Sequence, residues 1–239
     1  ASQQTACADW WIAEDVYLVG SGALGTSLTH DQDCNVYALR CGDEYLLVDA
    51  GVETYTAKTF GPNRYDIWTM QSAYHSLLPT VDGVMQSPGV TFAAADVSYQ
   101  ADNTAAELSL EIGASYPPEA KIASWRRSVR LERGKSVTVR DDYALGAQAG
   151  EVGVSFITPC AVEISQPGIV KLGERAILDG RVSATGQVEY DPAVFSAVVE
   201  TISLTDERMG GTWGRELYRV MLTARNPAQK GTWTYRVTS

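Results

Sequence analysis

The sequence predicts an all-β protein, a large antiparallel β-sandwich with little helix. Short runs that mix apolar and polar alternation with β-branched and aromatic side chains recur along the chain. Turn-forming residues separate these runs, and helical periodicity is scarce. This spacing is typical of an antiparallel sandwich. With 239 residues, the chain is long enough for a single large domain over 1–239, of which residues 1–30 are the least clearly assigned.

The predicted strands follow one another from Asn35 onward. In chain order they are NVYALRC, EYLLVDA, VTFAAADVSY, AELSLEIGASY, KIASWRRSVRLERG, KSVTVRDDYAL, EVGVSFITP, FSAVVETISLTD, ELYRVMLTA and GTWTYRVTS. The Gly- and Pro-containing stretch SQPGIVKLGERAILDGRVSATGQ is predicted as short strands and loops. A helix fits only AEDVYLV and RYDIWTMQSAYHSLL, and the second of these ends at Pro79.

The segment SWRRSVRLERGKSVTVRDDYAL predicts a hairpin with a tight turn at RGK. Val129 and Leu131 share one face of its first strand, and Val137 and Val139 share a face of the second, because side chains alternate along a strand. The hairpin also carries a basic ribbon, which we expect to be a solvated outer strand face. The members of the basic ribbon are Arg126, Arg127, Arg130, Arg133, Lys135 and Arg140.

The charge balance argues against nucleic acid and anionic membranes as partners. The chain has 19 Lys and Arg residues against 29 Asp and Glu residues, a formal net charge of −10, whereas nonspecific nucleic-acid binding depends on positive charge. An anionic polymer would also be repelled at long range, so it would need a local cluster of Arg or Lys. No apolar run reaches the roughly 18 residues of a membrane-spanning helix, so the sequence predicts no transmembrane segment.

The four cysteines show no spacing typical of a metal site. Cys34 and Cys41 on one extended strand would lie about 20 Å apart, too far for a disulfide. We therefore expect buried thiols, with disulfides as the alternative. The N-terminus, ASQQTACADWW, lacks the features of a signal peptide, although a chain from which one had been cleaved would look the same. We favour a periplasmic or secreted location over a cytoplasmic one.

Three stretches, in this order, resemble the C-terminal β-sandwich of the heparinase II/III-like polysaccharide lyases. They are LLVDAGVETYTAKTFGPNRYDIWTMQSAYHSLLPTVDGVMQ, SYPPEAKIASWRRSVRLERGKSVTVRDDYAL and VVETISLTDERMGGTWGRELYRVMLTARNPAQKGTWTYRV. The resemblance covers residues 46–239. In that family a helical toroid packs against the sandwich, and an acidic polysaccharide lies between them. No sequence for an N-terminal toroid is present in this chain, so the resemblance implies a helical partner domain from another chain.

The resemblance also implies a divalent metal. Asp49 matches the family's metal-binding Asp, and His75 matches its third ligand, the His of a YHN segment. Asp31 stands where the family has a metal-binding His and would be the remaining ligand, or His30 would be after a slip of one residue. The metal expected is zinc, with calcium as the alternative, in a structural role. The alternatives are a packed His75 bonded to a backbone carbonyl and a turn-capping Asp49.

The start of the sandwich departs from the family pattern His-Asn-His-Asn-Asp. In LTHDQDCNVY, Thr29 stands at the position of the catalytic His, and His30 replaces the following Asn. Asp33 keeps the family's last Asp. His30 is therefore the candidate catalytic residue, with a solvated polar loop as the alternative reading. Ser76 and Asp82 also differ from the residues of the family's motifs. These differences do not affect the predicted fold, but they leave open whether the chain is catalytic.

Aromatic and hydrogen-bonding side chains surround His75 in the sequence. Arg64, Tyr65, Trp68 and Tyr74 are the predicted substrate-binding residues, with Tyr55 and Gln71 nearby. Aromatic faces stack on sugar rings, and a planar guanidinium such as that of Arg64 can bind a carboxylate through two hydrogen bonds. Core packing is the alternative for the tryptophan. The alternative interpretation of the basic ribbon is a groove that binds uronate.

Three functions follow as hypotheses. The first is the β-sandwich portion of a lyase that cleaves uronic-acid-containing polysaccharide by β-elimination, not active alone. The second is a non-catalytic carbohydrate-binding or structural module. The third comes from residues 16–51, which resemble the opening strands of a metallo-β-lactamase-type hydrolase, but the chain lacks the histidines that such an enzyme needs. An apolar face left open would favour a homo-oligomer.

Overall fold

A computed structural model describes residues 6–10, 16–22, 36–41, 44–75, 77–87 and 94–239, with side chains described from Leu39 onward. Its strands pair antiparallel throughout, which confirms the predicted all-β class. Within the described residues, no helix has the length and apolar character to cross a membrane.

The strands largely coincide with the runs predicted from alternation. Their bounds are β1 Ala6–Trp10, β2 Val16–Gly22, β3 Val36–Cys41, β4 Glu44–Leu47, β5 Pro79–Val81, β6 Ala95–Ala101, β7 Ala105–Glu111, β8 Ile122–Glu132, β9 Ser136–Leu145, β10 Glu151–Thr158, β11 Ala161–Glu163, β12 Ile169–Gly173, β13 Gly186–Glu189, β14 Phe195–Ser203, β15 Glu216–Arg225 and β16 Lys230–Thr238. The Gly- and Pro-containing stretch holds β12 and the first two residues of β13, which agrees with the prediction of short strands and loops.

Two sheets form the sandwich. The larger one has the order β11-β12-β13-β16-β9-β8-β7-β6, and the smaller one has the order β14-β15-β10-β5. Strands β1 to β4 form a further sheet in sequence order. The predicted hairpin is β8 and β9, with Val129 opposite Val139 and Leu131 opposite Val137.

The main core lies between the facing surfaces of the two large sheets. Val154 and Phe156 of β10 and Val220 and Leu222 of β15 pack toward the larger sheet. That sheet contributes an aromatic cluster in which the Tyr143 and Trp233 ring centroids lie 4.2 Å apart. Trp125 and Phe195 pack against the same Trp233 ring. Since large rings bury much apolar surface, this cluster is a principal source of the sandwich's stability.

A second, smaller core covers the opposite face of the smaller sheet. Ile157 points away from the main core because it follows Phe156 in the strand. It packs with Val48, Leu217 and two residues of the helix α1 (Glu207–Trp213), namely Met209 and Trp213. Trp68 and Tyr74 contact this cluster from the segment that precedes His75. This arrangement brings the predicted site segment onto the outer face of the smaller sheet.

The prediction of α-helix in RYDIWTMQSAYHSLL and in AEDVYLV is wrong. In RYDIWTMQSAYHSLL the chain forms separate single turns of 3-10 helix at Arg64–Asp66, Trp68–Met70 and Ser72–Tyr74. The residues between these turns, Ile67 and Gln71, are extended, which lets the segment follow the surface it packs on. In AEDVYLV, the residues from Val16 onward belong to β2, and the rest lies outside the described residues.

The helix α1 was not predicted, since Gly210 and Gly211 in its middle weaken the helical signal. Its N-cap is Asp206, whose side chain accepts a hydrogen bond from the Met209 N–H.

The prediction of buried thiols is confirmed for Cys160, which is a buried free thiol. Cys41 is only half-buried. Burial raises the pKa of the Cys160 thiol, which keeps it protonated and inert near neutral pH. The Cys7 side chain and Cys34 lie outside the described part of the chain.

One member of the basic ribbon does not lie on the outer face. Arg127 faces the core, because it alternates with the outward-facing Arg126 and Ser128. Its Nε donates to Asp141 Oδ1 at 2.7 Å and its Nη2 donates to Oδ2 at 2.6 Å. Both side chains are 0% exposed. The register of β8 with β9 places Arg127 opposite Asp141, so the Asp141 carboxylate neutralises the Arg127 guanidinium inside the sandwich.

We expect Arg127→Met to lower the free energy of unfolding by about 3–5 kcal/mol, since it leaves the buried Asp141 carboxylate without its cation. The double variant Arg127→Met with Asp141→Leu should recover much of the loss. Urea denaturation of both variants measures this.

The matched control is Arg140→Met, which breaks the exposed pair of Arg140 with Asp142 on the same hairpin. It should leave the denaturation midpoint nearly unchanged. Equal losses for Arg127→Met and the control would contradict the assignment of a buried ion pair.

Candidate functional site

Strand β10 brings together two residues that are 26 positions apart in the sequence. The Val48 N–H, immediately before Asp49, donates to the Ile157 carbonyl at 2.9 Å. On the same edge of β10, the Leu77 N–H, two residues after His75, donates to the Ser155 carbonyl at 2.5 Å. Because Ser155 and Ile157 are roughly 7 Å apart along one strand, the segments that carry Asp49 and His75 are held side by side.

The Ser155 side chain adds a second contact to the same segment. Its Oγ donates to the Ala73 carbonyl at 2.6 Å, so β10 binds the chain both before and after His75. The Ser155 Oγ also accepts a hydrogen bond from Arg219 Nε at 3.2 Å. A single buried hydroxyl therefore links the His75 segment to β15.

Asp49 and His75 form a direct side-chain contact, with Nδ1 and Oδ2 3.0 Å apart. His75 is 2% exposed, whereas the Asp49 side chain is 31% exposed. Asp49 Oδ1 accepts a hydrogen bond from the Gly51 N–H at 2.8 Å, in a turn where Gly51 has φ +80°. Since an ionised carboxylate only accepts hydrogen bonds, His75 Nδ1 donates the hydrogen bond of this contact to Asp49 Oδ2.

The donor chemistry of this pair suits zinc, because imidazole nitrogen and carboxylate oxygen are common zinc ligands. Two ligands of one tetrahedral zinc ion lie about 3.3 Å apart, slightly farther than the 3.0 Å contact of Nδ1 with Oδ2, so a metal bound by both atoms would replace the proton that Nδ1 donates. Among the residues that the structure describes, no group of three His, Cys, Asp or Glu side chains could hold a metal. The described pair offers two donors, and a metal bound there would need further donors from outside the described residues.

The predicted residues His30 and Asp31, with Thr29 and Asp33, lie outside the described residues. The catalytic assignment of His30 and the third-ligand assignment of Asp31 stay predictions.

Two residues from the α1 region hold the loop that follows Asp49. Trp213 Nε1 donates to the Ala50 carbonyl at 2.9 Å, and the Thr54 N–H donates to Asp206 Oδ2 at 3.0 Å. The Met209 N–H, which donates to the other oxygen, holds the pKa of the Asp206 carboxyl below its usual value. In the sequence, Asp206 is a residue type that commonly caps the start of a helix, and this is the one local signal for α1. This signal gave no sign that the helix would contact a loop some 150 residues earlier, as the Thr54–Asp206 bond shows.

The structure places Trp68 and Tyr74 together. Their ring centroids lie 5.3 Å apart, and Trp68 Nε1 donates to Glu53 Oε1 at 2.9 Å. The Arg219 guanidinium stacks 4.2 Å above the Tyr74 ring and forms a 3.2 Å ion pair with Glu200. Arg219 was not among the predicted residues, because β15 is far away in the sequence and only the sheet register shows the contact.

Arg64 and Tyr65 lie at a different part of the same segment. The Arg64 guanidinium is 5.3 Å from the Tyr65 ring centre, and its Nη2 is 3.6 Å from Met70 Sδ. Tyr65 packs on a small cluster of Val52, Ile67 and Met70. All the predicted binding residues are thus half-buried and engaged in packing, and their role in binding a substrate stays a prediction.

No protein-family model and no curated protein matches the sequence. Solved structures do share its fold. The chain is similar to the heparan sulfate lyase HepC from Pedobacter heparinus, with a TM-score of 0.71 and 15% identity, over 93% of this chain and 33% of that one. It is also similar to heparinase III, with a TM-score of 0.60 and 14% identity, over 95% of this chain and 35% of that one. This chain spans about a third of the length of these structures.

These similarities confirm the predicted resemblance at the level of the fold. The chain has the β-sandwich of the heparinase-type polysaccharide lyases. The second resemblance, to a metallo-β-lactamase-type hydrolase, gains no support from the fold or from these structures.

We expect Ser155→Ala to weaken the connection between β10 and the His75 segment, because the hydrogen bonds to Ala73 and from Arg219 are lost. The free energy of unfolding should fall by about 1–2 kcal/mol, and the ring signals of His75 should shift in NMR spectra. Ser196→Ala, which removes an exposed hydroxyl from the same sheet, should change neither. Unchanged His75 signals in Ser155→Ala would show that β10 does not position this histidine.

Proposed function

We propose that this chain is the β-sandwich portion of a heparinase II/III-like polysaccharide lyase, which acts on uronic-acid-containing polysaccharide by β-elimination and needs helical residues from elsewhere to act. The observation that carries the proposal is the contact of His75 with Asp49, at 3.0 Å, inside a sandwich of the lyase fold. Both residues were identified from the lyase pattern alone, and the fold brings them together.

The contact supports the proposal because chance seldom brings two chosen residues together. Asp49 and His75 are separated by a loop and several 3-10 turns, and their meeting depends on separate hydrogen bonds to β10. A packed histidine bonded to a backbone carbonyl, the plainer reading of His75, would not require a carboxylate at this position.

We also propose that the pair holds a divalent metal, with zinc favoured over calcium and Asp31 as a further ligand. Bound there, the metal would tie the Asp49 strand to the His75 segment and to the start of the sandwich. His75 and Asp49 would each supply one donor atom. Its role would be structural.

The reaction class determines which catalytic groups a helical domain would have to supply. In β-elimination a base removes the proton next to the uronate carboxylate, cationic or hydrogen-bonding groups stabilise the charge that develops, and an acid protonates the leaving glycosidic oxygen. Arg64, Tyr65, Trp68 and Tyr74 would contribute contacts to the sugar, and His30 is the candidate for proton transfer within this chain. The remaining groups would come from a helical domain like that of the family.

A protein that combines this chain with its helical domain should release unsaturated uronate product, which is followed by its ultraviolet absorbance. We expect His75→Ala and Asp49→Asn to lower the rate about 10- to 100-fold, as loss of a metal ligand or its partner does, with Ser196→Ala as the unaffected control. Binding of uronate polysaccharide without any product would instead identify the non-catalytic module. Tandem amphipathic helices in the adjacent coding sequence would support the lyase.

Metal analysis of the purified 239-residue chain should find about one equivalent of zinc or calcium. The metal should be lost in His75→Ala and Asp49→Ala but kept in Asp142→Asn, which changes an exposed carboxylate of the larger sheet. A wild-type chain without stoichiometric metal would refute the metal site, although not the fold.

A further inference from the structure

The loop that follows Asp49 exposes two aromatic rings side by side. Phe60 is 76% exposed and Tyr55 is 45% exposed. Their ring centroids lie 5.6 Å apart at an angle of 53°. In the described part of the chain, the other large apolar side chains with comparable exposure are Val97, Tyr99 and Val198, which lie on strands β6 and β14. Two adjacent exposed rings on one short loop mark a contact surface.

Cations border these rings. The Arg208 guanidinium of α1 lies 5.4 Å from the centre of the Tyr55 ring. Within the described residues it forms no ion pair, in contrast to Arg219 and Arg225. Lys58, between the two aromatic residues in the sequence, has its Nζ 3.8 Å from Asp66 Oδ2, and both side chains are largely exposed. The guanidinium of Arg208 is thus available to an anion that approaches the rings.

The loop and the helix are fixed relative to each other. The Thr54 N–H, just before Tyr55, donates to Asp206 at the start of α1. The Thr56 N–H, just after it, donates to the buried Thr59 hydroxyl at 3.0 Å. Tyr55 is therefore held on both sides, and Arg208 is two residues from the Asp206 anchor. Such preorganisation lowers the entropic cost of binding a ligand.

We propose that Tyr55, Phe60 and Arg208 form a binding subsite for one anionic sugar residue, with the apolar face of the sugar on the aromatic rings and its carboxylate on the Arg208 guanidinium. The choice of a uronate as that sugar rests on the proposed function. Phe60 and Arg208 are additional to the residues predicted around His75, near which Tyr55 was already named. Tyr55 and Phe60 form the most exposed aromatic surface described between Asp49 and His75.

Charge complementarity favours a glycan anion over a protein face or a neutral sugar. Phe60 offers a flat ring to C–H groups, and Arg208 offers a planar fork to two carboxylate oxygens. The neighbouring acid Asp206 already accepts hydrogen bonds from Thr54 and Met209. In a chain with a net charge of −10, a polyanion needs a local cation, and Arg208 supplies one next to a stacking platform.

The test is titration of the 239-residue chain with a tetrasaccharide of alternating glucuronate and N-acetylglucosamine, by calorimetry and by NMR of the aromatic rings. We expect Phe60→Ala and Tyr55→Ala each to weaken binding roughly 3- to 10-fold. Arg208→Gln should weaken it to a similar degree and reduce its dependence on salt. Cellotetraose, which has no carboxylate, should bind no better to the wild type than to Arg208→Gln.

Matched controls separate the subsite from general effects. Tyr99→Ala removes an exposed aromatic ring from β6, and Arg225→Gln removes an exposed guanidinium from β15, and neither should alter binding. Thermal unfolding of each variant verifies that the fold is kept. Wild-type affinity in Phe60→Ala and Tyr55→Ala would overturn the subsite.

Two other outcomes are informative. If the wild-type chain self-associates and Phe60→Ala abolishes this without changing tetrasaccharide affinity, the surface is a protein interface and the subsite is wrong. If the tetrasaccharide binds as expected but no protein that contains this chain yields unsaturated product, the subsite stands and the lyase proposal fails.

Discussion

The candidate site depends on the backbone hydrogen bonds that two separate segments make to strand β10. Ile157 binds the chain before Asp49, and Ser155 binds the chain after His75. The strand is itself fixed on both sides, by β15 over its whole length and by β5 at one end. Because both segments bind this one strand, the spacing of Asp49 and His75 is a consequence of sheet geometry.

The polar and aromatic residues of the candidate site lie on the outer face of the smaller sheet. Its inner face is wholly apolar at Val154, Phe156, Val220 and Leu222, so polar groups on alternate positions must point outward. There Ser155 and Arg219 meet the His75 segment, and α1 covers the end of the face. The contact of Asp49 with His75, the half-buried aromatic residues and the exposed rings of the Asp49 loop all belong to this one layer.

The buried pair of Arg127 and Asp141 shows a different constraint. A charge inside a sandwich is tolerated only with a partner that satisfies its hydrogen bonds. Here the partner lies on the adjacent strand in register, so the pair also opposes any slip of β8 against β9, since a shift by one residue would expose both charges to apolar surroundings. The basic ribbon predicted from the sequence keeps its other members, but its second arginine has this structural task.

Alternation and turn residues determined the strands, because period-two patterning is a local property that every half-buried strand must show. The contact of Asp49 with His75 was also anticipated, because the sequence motifs around both residues resemble those of a known family. Three features escaped the sequence. The segment before His75 has helical composition, but it forms single 3-10 turns separated by extended residues where it packs on the outer face of the smaller sheet. The glycines of α1 hide a helix that is held by its Asp206 cap and by Trp213. Local patterning cannot show which segments meet on the outer face, because the contacts of Arg219, Trp213 and Arg208 join residues far apart in the chain. Only the packing of the sheet, the helix and the loop in the folded protein brings these residues together.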